Sequence, residues 1–364
     1  MFTGPLWTSF TLHYGVGMKY VRTCVDQALA FSDPLNIVID TDDTPILTIL
    51  MLNQDVPDFD DWLRAVAPIL APAFLRASQF NVWSQNQAEL RRTMTLLDLS
   101  VSLNLQHLSF FVREETLLEW PSWIPTIKST ALTRLSLVGV VPAWDSHDFD
   151  RVTEIDFGYL EDSLCWPQLS RLLEAPSHLS KLTIYNTNCD FSLWVPDLIT
   201  FHDVSEFCFG FKKITHLPLL RTFAFPALSS VSIACFNSKH WSTFLRLFAP
   251  QLYNVARAKL IDMEGVTEFT ETWAAFPAVR SLDLAGCDTS FVARASATIP
   301  TLLPQLRTCF VGADVEDEVL IKLMAEVDGP SKLVYQSLSP LGHGNEECTF
   351  REGKLTKSAV KTKY

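Results

Sequence analysis

Basic residues are scarce in this chain of 364 residues: 29 Lys and Arg stand against 41 Asp and Glu, a formal charge of −12. Nucleic acid and anionic membranes are held by Lys and Arg that neutralise phosphate, so this balance excludes general affinity for either. The eight cysteines, at 24, 165, 189, 208, 235, 287, 309 and 348, form no CxxC pair and are spread along the chain. That is unlike a secreted disulfide scaffold and reads as reduced thiols of the cytosol or nucleus. No apolar run approaches the roughly 20 residues that cross a bilayer. Ile46 to Leu52 is too short, and Ala65 to Leu75 carries two prolines. The opening Met1-Phe2-Thr3-Gly4 lacks the basic n-region of a secretory signal.

Chemical motifs are missing as well. The eight His form no HxxxH or HExxH spacing, and GxGxxG, P-loop and GxSxG sequences are absent; Gly15-Val16-Gly17 is only a fragment of a glycine loop. No catalytic residue, metal ligand or cofactor is expected. What the chain does hold is apolar bulk: 48% of residues are hydrophobic and 19% charged, with 25 Phe and 10 Trp, which excludes disordered and coiled-coil classes.

The apolar residues recur with a pattern, apolar-x-x-apolar-x-apolar. It appears at Leu105/Leu108/Phe110, Leu132/Leu135/Leu137, Val152/Ile155/Phe157, Leu179/Leu182/Ile184, Val204/Phe207/Phe209, Leu228/Val231/Ile233, Val279/Leu282/Leu284 and Leu306/Cys309/Val311, with a weaker copy from Leu252. Successive copies start 20 to 27 residues apart, inside the leucine-rich-repeat range of roughly 20 to 29. Pro176, Pro226, Pro250, Pro277 and Pro304 precede five of the copies, where proline ends a helix and delivers extended chain. Between strand motifs, Ser238 to Phe248, Thr267 to Phe276 and Ser290 to Ile299 read as helices. In the first, Trp241, Phe244, Leu245 and Phe248 fall on one helical face, with Ser238 as N-cap.

The expected fold is therefore α/β: a leucine-rich-repeat solenoid, or horseshoe, with a parallel sheet on the concave face and helices on the convex face. Arg257 falls on a core position of the Leu252 copy, which predicts a bulge or a shifted register there. Residues 1–100, with a strand candidate at Leu35 to Ile39, a helix around Trp62 to Ala67 and a degenerate unit at Phe74 to Val82, read as an N-terminal cap. Residues 101–341 form the solenoid. Residues 342–364 carry Arg351, Lys354, Lys357, Lys361 and Lys363 with few large apolar side chains, and read as a basic, weakly ordered tail.

Together with the repeats, Pro5 to Phe10 ("PLWTSF") and Tyr20 to Asp40 ("YVRTCVDQALAFSDPLNIVID") resemble the F-box-type leucine-rich-repeat proteins of mushroom-forming fungi. Leu6-Trp7 and Ser32-Asp33-Pro34-Leu35 match two landmarks of that family, and the likeness runs to about residue 340. The resemblance implies a substrate receptor of a cullin-based ubiquitin ligase. Five residues precede Leu6-Trp7, too few for the roughly 40-residue F-box, so the adaptor-binding element is expected to be missing and an adaptor to bind only if an F-box lies upstream.

Strand positions that alternate with the core face outward in columns about 4.8 Å apart. One column reads His107, Arg134, Glu154, Lys181, Glu206, Ser230, Asn254, Ser281 and Thr308; its alternating charges are either exposed ion pairs or a polar recognition strip. A second reads Phe111, Val138, Gly158, Tyr185, Gly210, Ala234, Ala258, Ala285 and Gly312. Its small residues admit a close-lying peptide or tail, or serve strand curvature, and Phe111 and Tyr185 are the aromatic anchors. The protein-binding candidates are thus His107, Phe111, Arg134, Glu154, Lys181, Tyr185 and Glu206. Asp40, Asp42, Asp43, Asp55, Asp58, Asp60 and Asp61 lack calcium-loop spacing and read as a solvated acidic loop. Cys287 sits where such repeats place a turn-bonding Asn or Cys. The expected function is a non-enzymatic protein-interaction module with a protein partner; an atypical hydrolase is the contrasting class.

Overall fold

The computed structural model describes residues 9–13, 17–31, 35–40, 59–74, 76–84, 90, 92–93, 104–112, 131–140, 150–159, 164–165, 169–170, 173–174, 176–187, 189–190, 197–312, 315, 318–319, 332–339, 342–351 and 354–360. The chain divides into two compact units, residues 1–179 with 190–194, and residues 180–189 with 195–364. Leu6-Trp7, Ser32-Asp33-Pro34, Ile46 to Leu52, Asp42, Asp43, Asp55, Asp58 and Gly15-Val16 lie outside the described residues. The class is α/β. No helix among the described residues is long and apolar enough to cross a membrane.

In the first unit, β1 (Ser9–His13), β2 (Leu35–Asp40), β3 (Ala77–Ser84), β4 (His107–Val112), β5 (Arg134–Val138) and β6 (Glu154–Gly158) pair in chain order, each parallel to the next. A short strand, β7 (Leu164–Cys165), follows. Parallel neighbours need a crossover, and the helices Met18–Phe31 and Phe59–Phe74 occupy the first two crossovers and pack on one another. Trp62, Leu63, Val66, Leu70 and Ala73 are buried at helical spacing. The helix predicted around Trp62 to Ala67 thus runs on through Pro68 and Pro72 to Phe74. Both prolines are exposed, so the buried face, rather than local propensity, carries the helix past them. Ala77, Phe80 and Val82 are buried, and Phe80 and Val82 lie opposite Leu108 and Phe110. The unit read as degenerate from Phe74 therefore keeps the motif three residues later, and strand pairing continues unchanged across residue 100.

In the second unit, β8 (Lys181–Tyr185), β11 (Glu206–Phe211), β13 (Ser230–Cys235), β14 (Arg257–Ile261), β15 (Ser281–Gly286), β16 (Thr308–Val311) and β17 (Lys332–Ser339) pair parallel in that order. Between β8 and β13 along the chain come the short strands β9 (Cys189–Asp190), β10 (Ile199–Thr200) and β12 (Phe223–Ala224), of which β10 and β12 pair with one another. Residues 342–364, predicted as a weakly ordered tail, instead hold β18 (Gly342–Arg351) and β19 (Lys354–Val360), antiparallel to β17 and to each other. Arg351 pairs with Lys354, so a hairpin supplies the ladder that composition alone did not suggest.

A repeated backbone bond sets the spacing of the strands. The carbonyl of the residue just before a strand accepts two N–H groups, from the residue before the next strand and from that strand's first residue. Gln106 O takes Thr133 and Arg134 at 2.9 Å each; Thr133 O takes Thr153 at 2.8 Å and Glu154 at 3.1 Å. In the second unit Ser180 O serves Ser205 and Glu206, Ser205 O serves Ser229 and Ser230, Ser229 O serves Ala256 and Arg257, Ala256 O serves Arg280 and Ser281, and Arg280 O serves Arg307 and Thr308. The hydroxyls of Thr133, Thr153 and Ser229 each donate to the same carbonyl at 3.2 Å.

The far ends of the strands are bracketed too. Gly139, Tyr159, Asn186 and Asp262, each directly after its strand, have φ of 70, 57, 45 and 53°. Three of them donate N–H across to the next strand: Gly139 to Gly158 O, Asn186 to Gly210 O and Asp262 to Gly286 O, at 2.9, 2.8 and 3.0 Å. Gly, Asn and Asp tolerate this left-handed turn; tyrosine does so at a cost of about 1 kcal/mol.

The weak copy at Leu252 is corrected by three residues. Val255, Ala258 and Leu260 are the buried triplet, while Leu252 ends the helix Trp241–Leu252. Its carbonyl accepts the Val255 N–H at 3.0 Å, just as Phe225, Phe276 and Leu303 accept from Leu228, Val279 and Leu306. Pro250 accordingly lies inside that helix, whereas Pro226, Pro277 and Pro304 stand in turns. Arg257 is not in the core but pairs with Ser230 and Ser281 on the outward column, and the predicted irregularity falls on the β14–β15 step between Lys259 and Ile261.

Helices were also predicted over Ser238 to Phe248, Thr267 to Phe276 and Ser290 to Ile299. The structure has a 3-10 turn Ser238–His240 leading into Trp241–Leu252, then Phe269–Ala274, Thr289–Ser296 and Ile299–Leu302. The cap is Asn237, not Ser238: Asn237 is extended and its Oδ1 accepts the Lys239 N–H at 3.2 Å. Asp288 caps Thr289–Ser296, accepting the Phe291 N–H at 2.9 Å.

This helical layer buries Phe207, Phe209 and Phe211 of β11 against Phe244 and Phe248, with ring centroids 5.3 Å apart for Phe211–Phe244 and 5.4 Å for Phe207–Phe248. Indole hydrogen bonds stitch neighbouring helices. Trp241 Nε1 donates to Thr272 Oγ1 at 2.8 Å, and Trp273 Nε1 to Thr298 Oγ1 at 2.9 Å. Trp241 and Thr272 are fully buried. Thr272→Val keeps the shape and orphans the indole N–H, so urea unfolding of this variant is expected to show a loss of about 1–3 kcal/mol, whereas Thr272→Ser keeps the acceptor and loses less than half as much.

Candidate functional site

The seven candidate residues all lie on the non-core positions of their strands, four in the first unit and three in the second. In the first unit His107 and Arg134 are direct register partners, as are Arg134 and Glu154. Arg134 Nε lies 3.5 Å from Glu154 Oε2, and Nη2 lies 3.2 Å from Asp156 Oδ2. One guanidinium therefore serves two carboxylates. Exposed pairs of this kind contribute at most about 1 kcal/mol. His107 is half-buried and its Nε2 has no hydrogen-bond partner among the described residues. Burial first, and then the Arg134 charge, hold its pKa below the ordinary 6.5, against a smaller upward pull from Asp156.

Phe111 is 40% exposed, and on the neighbouring strand Trp83, its register partner, is 52% exposed. Their ring centroids are 6.4 Å apart. Val138 and Gly158 continue this row on β5 and β6, and Tyr159, 43% exposed, follows Gly158. Sequence reading missed Trp83 because its strand had been assigned three residues early. It missed Asp156 because only the two outer columns were followed; the middle one, between the second and third core residues, was legible in the same motif.

In the second unit Lys181 Nζ contacts Glu206 Oε1 at 2.8 Å. The middle column supplies a further pair, Lys259 Nζ to Asp283 Oδ2 at 3.4 Å. The register correction puts Arg257 where Asn254 was expected and Ile261 where Ala258 was expected; Ala258 is core. Tyr185 is half-buried, and its ring explains one of the small residues. A Cβ on Gly210 would overlap Tyr185 Cδ1 and come 3.2 Å from Phe236 Cε2. The space at Gly210 is thus filled by rings of this chain.

The thiols are structural. Cys287 Sγ donates to Leu260 O at 3.2 Å. Burial pushes Cys235, Cys287 and Cys309 each up to about 12, which leaves no thiolate for attack near neutral pH. Cys24, Cys189, Cys208, Cys235, Cys287 and Cys309 are all free. No group of three or more His, Cys, Asp or Glu placed to hold a metal occurs among the described residues. No protein-family model matches the chain, and no curated protein matches it.

Two expectations test these faces. Gly210→Ala forces the Tyr185 ring to move and is expected to destabilise by about 1–3 kcal/mol. In a double-mutant cycle Tyr185→Ala should recover most of that loss, and additive losses would show that the ring does not fill the gap. His107 binds its proton less readily folded than unfolded. Its contribution is complete above pH 6.5 and is lost as pH falls from there toward the lower folded value. Thermal midpoints taken between about pH 8 and pH 5 should fall less steeply for His107→Gln than for the parent.

Proposed function

We propose that the chain is a non-enzymatic protein-interaction module of the leucine-rich-repeat solenoid type, binding a protein partner on the outward face of its parallel strands. The carrying observation is the Trp83–Phe111 pair, exposed beside the Arg134, Glu154 and Asp156 cluster on one sheet face. Aromatic side chains ringed by polar groups are the composition of binding hot spots. The regular strand step and the motif spacing support the repeat assignment. The burial of the thiols is against the hydrolase reading.

The likeness of the N-terminal segments to F-box-type repeat proteins extends this reading: the partner would be a substrate presented to a cullin-based ubiquitin ligase, in the cytoplasm or nucleus. That extension rests on resemblance alone. Affinity purification of the tagged protein from its own organism, beside Arg134→Glu and Lys181→Glu, tests the module. Loss of at least one co-purifying protein in a variant that keeps its thermal midpoint is expected. An unchanged set would remove the polar strip as the binding surface, and a ligase adaptor co-purifying with the full gene product would support the receptor reading.

A further inference from the structure

The outward face of β3 to β6 has two rows of different chemistry. Along one row lie Trp83, Phe111, Val138 and then Gly158 with Tyr159, apolar from end to end. Two and four residues back along the strands lie Asp156 and Glu154, with Arg134 between them. Strand residues rise about 3.3 Å, so the carboxylates stand about 7 and 13 Å from the apolar row. The row crosses the strands, and its members recur every strand spacing of about 4.8 Å. An α-helix lying along it presents one side chain per turn every 5.4 Å or so. The two periods match closely enough for three successive turns to meet successive strands.

The backbone argues for the same conformation. Strands β3, β4 and β5 are hydrogen-bonded on both sides, so this face offers no free ladder to an extended peptide. A helix satisfies its own N–H and C=O groups and can lie on an apolar row without losing them. Charge then selects among helices. One guanidinium against two carboxylates leaves the patch negative, and His107 beside it is held toward its neutral form.

We infer that the β3–β6 face binds an amphipathic α-helix of a partner protein, carrying one large apolar residue per turn and Lys or Arg along the flank that faces Glu154 and Asp156. This rests on the interaction-module reading above and gives the partner a chemistry. Trp83 and Phe111 form the socket for the apolar side chains. Arg134 competes with the incoming cations for the two carboxylates.

The test uses the full chain and two fluorescein-labelled peptides of about 18 residues, long enough to populate a helix. Both carry Leu at i, i+4, i+7 and i+11; one has Lys on the adjoining flank and the other has Glu. Fluorescence polarisation at low salt is expected to saturate with the Lys peptide and not with the Glu peptide. Trp83→Ala/Phe111→Ala should weaken binding by about tenfold or more, and Glu154→Gln/Asp156→Asn by a few-fold. Arg134→Gln, by freeing both carboxylates, should tighten it a few-fold. Circular dichroism confirms that each variant is folded, and the polar variants report even if the aromatic one is not. No saturable binding, equal binding of the two peptides, or affinity unchanged by the aromatic and the carboxylate variants overturns the proposal. So does concentration-dependent self-association abolished by Trp83→Ala/Phe111→Ala, which assigns the row to a second copy. If the peptides fail while Arg134→Glu still alters the co-purifying set, only the helix is wrong; if both fail, the module reading goes with it.

Discussion

The doubly accepting carbonyl before each strand is the constraint on which the other regularities depend. A carbonyl oxygen has two lone pairs, and here both are used to hold the same two N–H groups of the following strand. That bond pair fixes where each strand starts relative to the one before. Once the start is fixed, every later residue in the strand falls into a column, core or outward, without further instruction. It also accounts for the Thr and Ser at 133, 153, 180, 205 and 229: a short hydroxyl side chain at that position reaches the same carbonyl. The left-handed residues after β5, β8 and β14 close the other end with one more cross-strand bond each. Strand length is thereby bounded at both ends.

With the strands held this way, the connections are free to vary. The crossover from β13 to β14 is a twelve-residue helix preceded by a 3-10 turn, that from β14 to β15 a six-residue helix, and that before β12 a nine-residue 3-10 helix. What they share is a buried ring or aliphatic residue against the sheet and a tie to the next connection. Trp241 and Trp273 make that tie through the Thr hydroxyls of the following helices. The indole is large enough to fill the layer and long enough to place its N–H at the neighbouring helix, which no aliphatic side chain could do.

The core triplets were legible in the sequence because the motif spacing is short and each position is large and apolar. The failures share a cause: an apolar residue at the right spacing but in the wrong element. Leu252 and Phe74 both end helices, and both lie three residues before the true triplet, at Val255 and Ala77. The end of one element and the start of the next are both buried in this architecture, so hydrophobicity cannot separate them; the i to i−3 hydrogen bond that joins them can. Moving Arg257 out of the core and Ala258 into it follows from that single shift. Asn237 and Asp288 were passed over as caps for a similar reason, since a Ser lies one or two residues further on in each case. The candidate faces were read only in part. Their outer columns came directly from alternation, but which carboxylate Arg134 reaches, and which ring fills the space at Gly210, depend on side-chain packing between strands.

The same columns show why Trp83 and Phe111 are more than filler. The register position they occupy on β3 and β4 is held on other strands by Val138, Gly158, Tyr185, Gly210, Ala234 and Ile261, so the backbone ladder accepts residues from Gly to Tyr there. Where the chain does place a ring at this position in the second unit, that ring is half-buried over a glycine that makes room for it. Trp83 and Phe111 have no such accommodation and leave about half of their surface in water. Exposed adjacent aromatics give folding little and favour association. Stability alone would have put smaller residues at these two positions, and the acidic cluster two strands away gives the association a preferred sign.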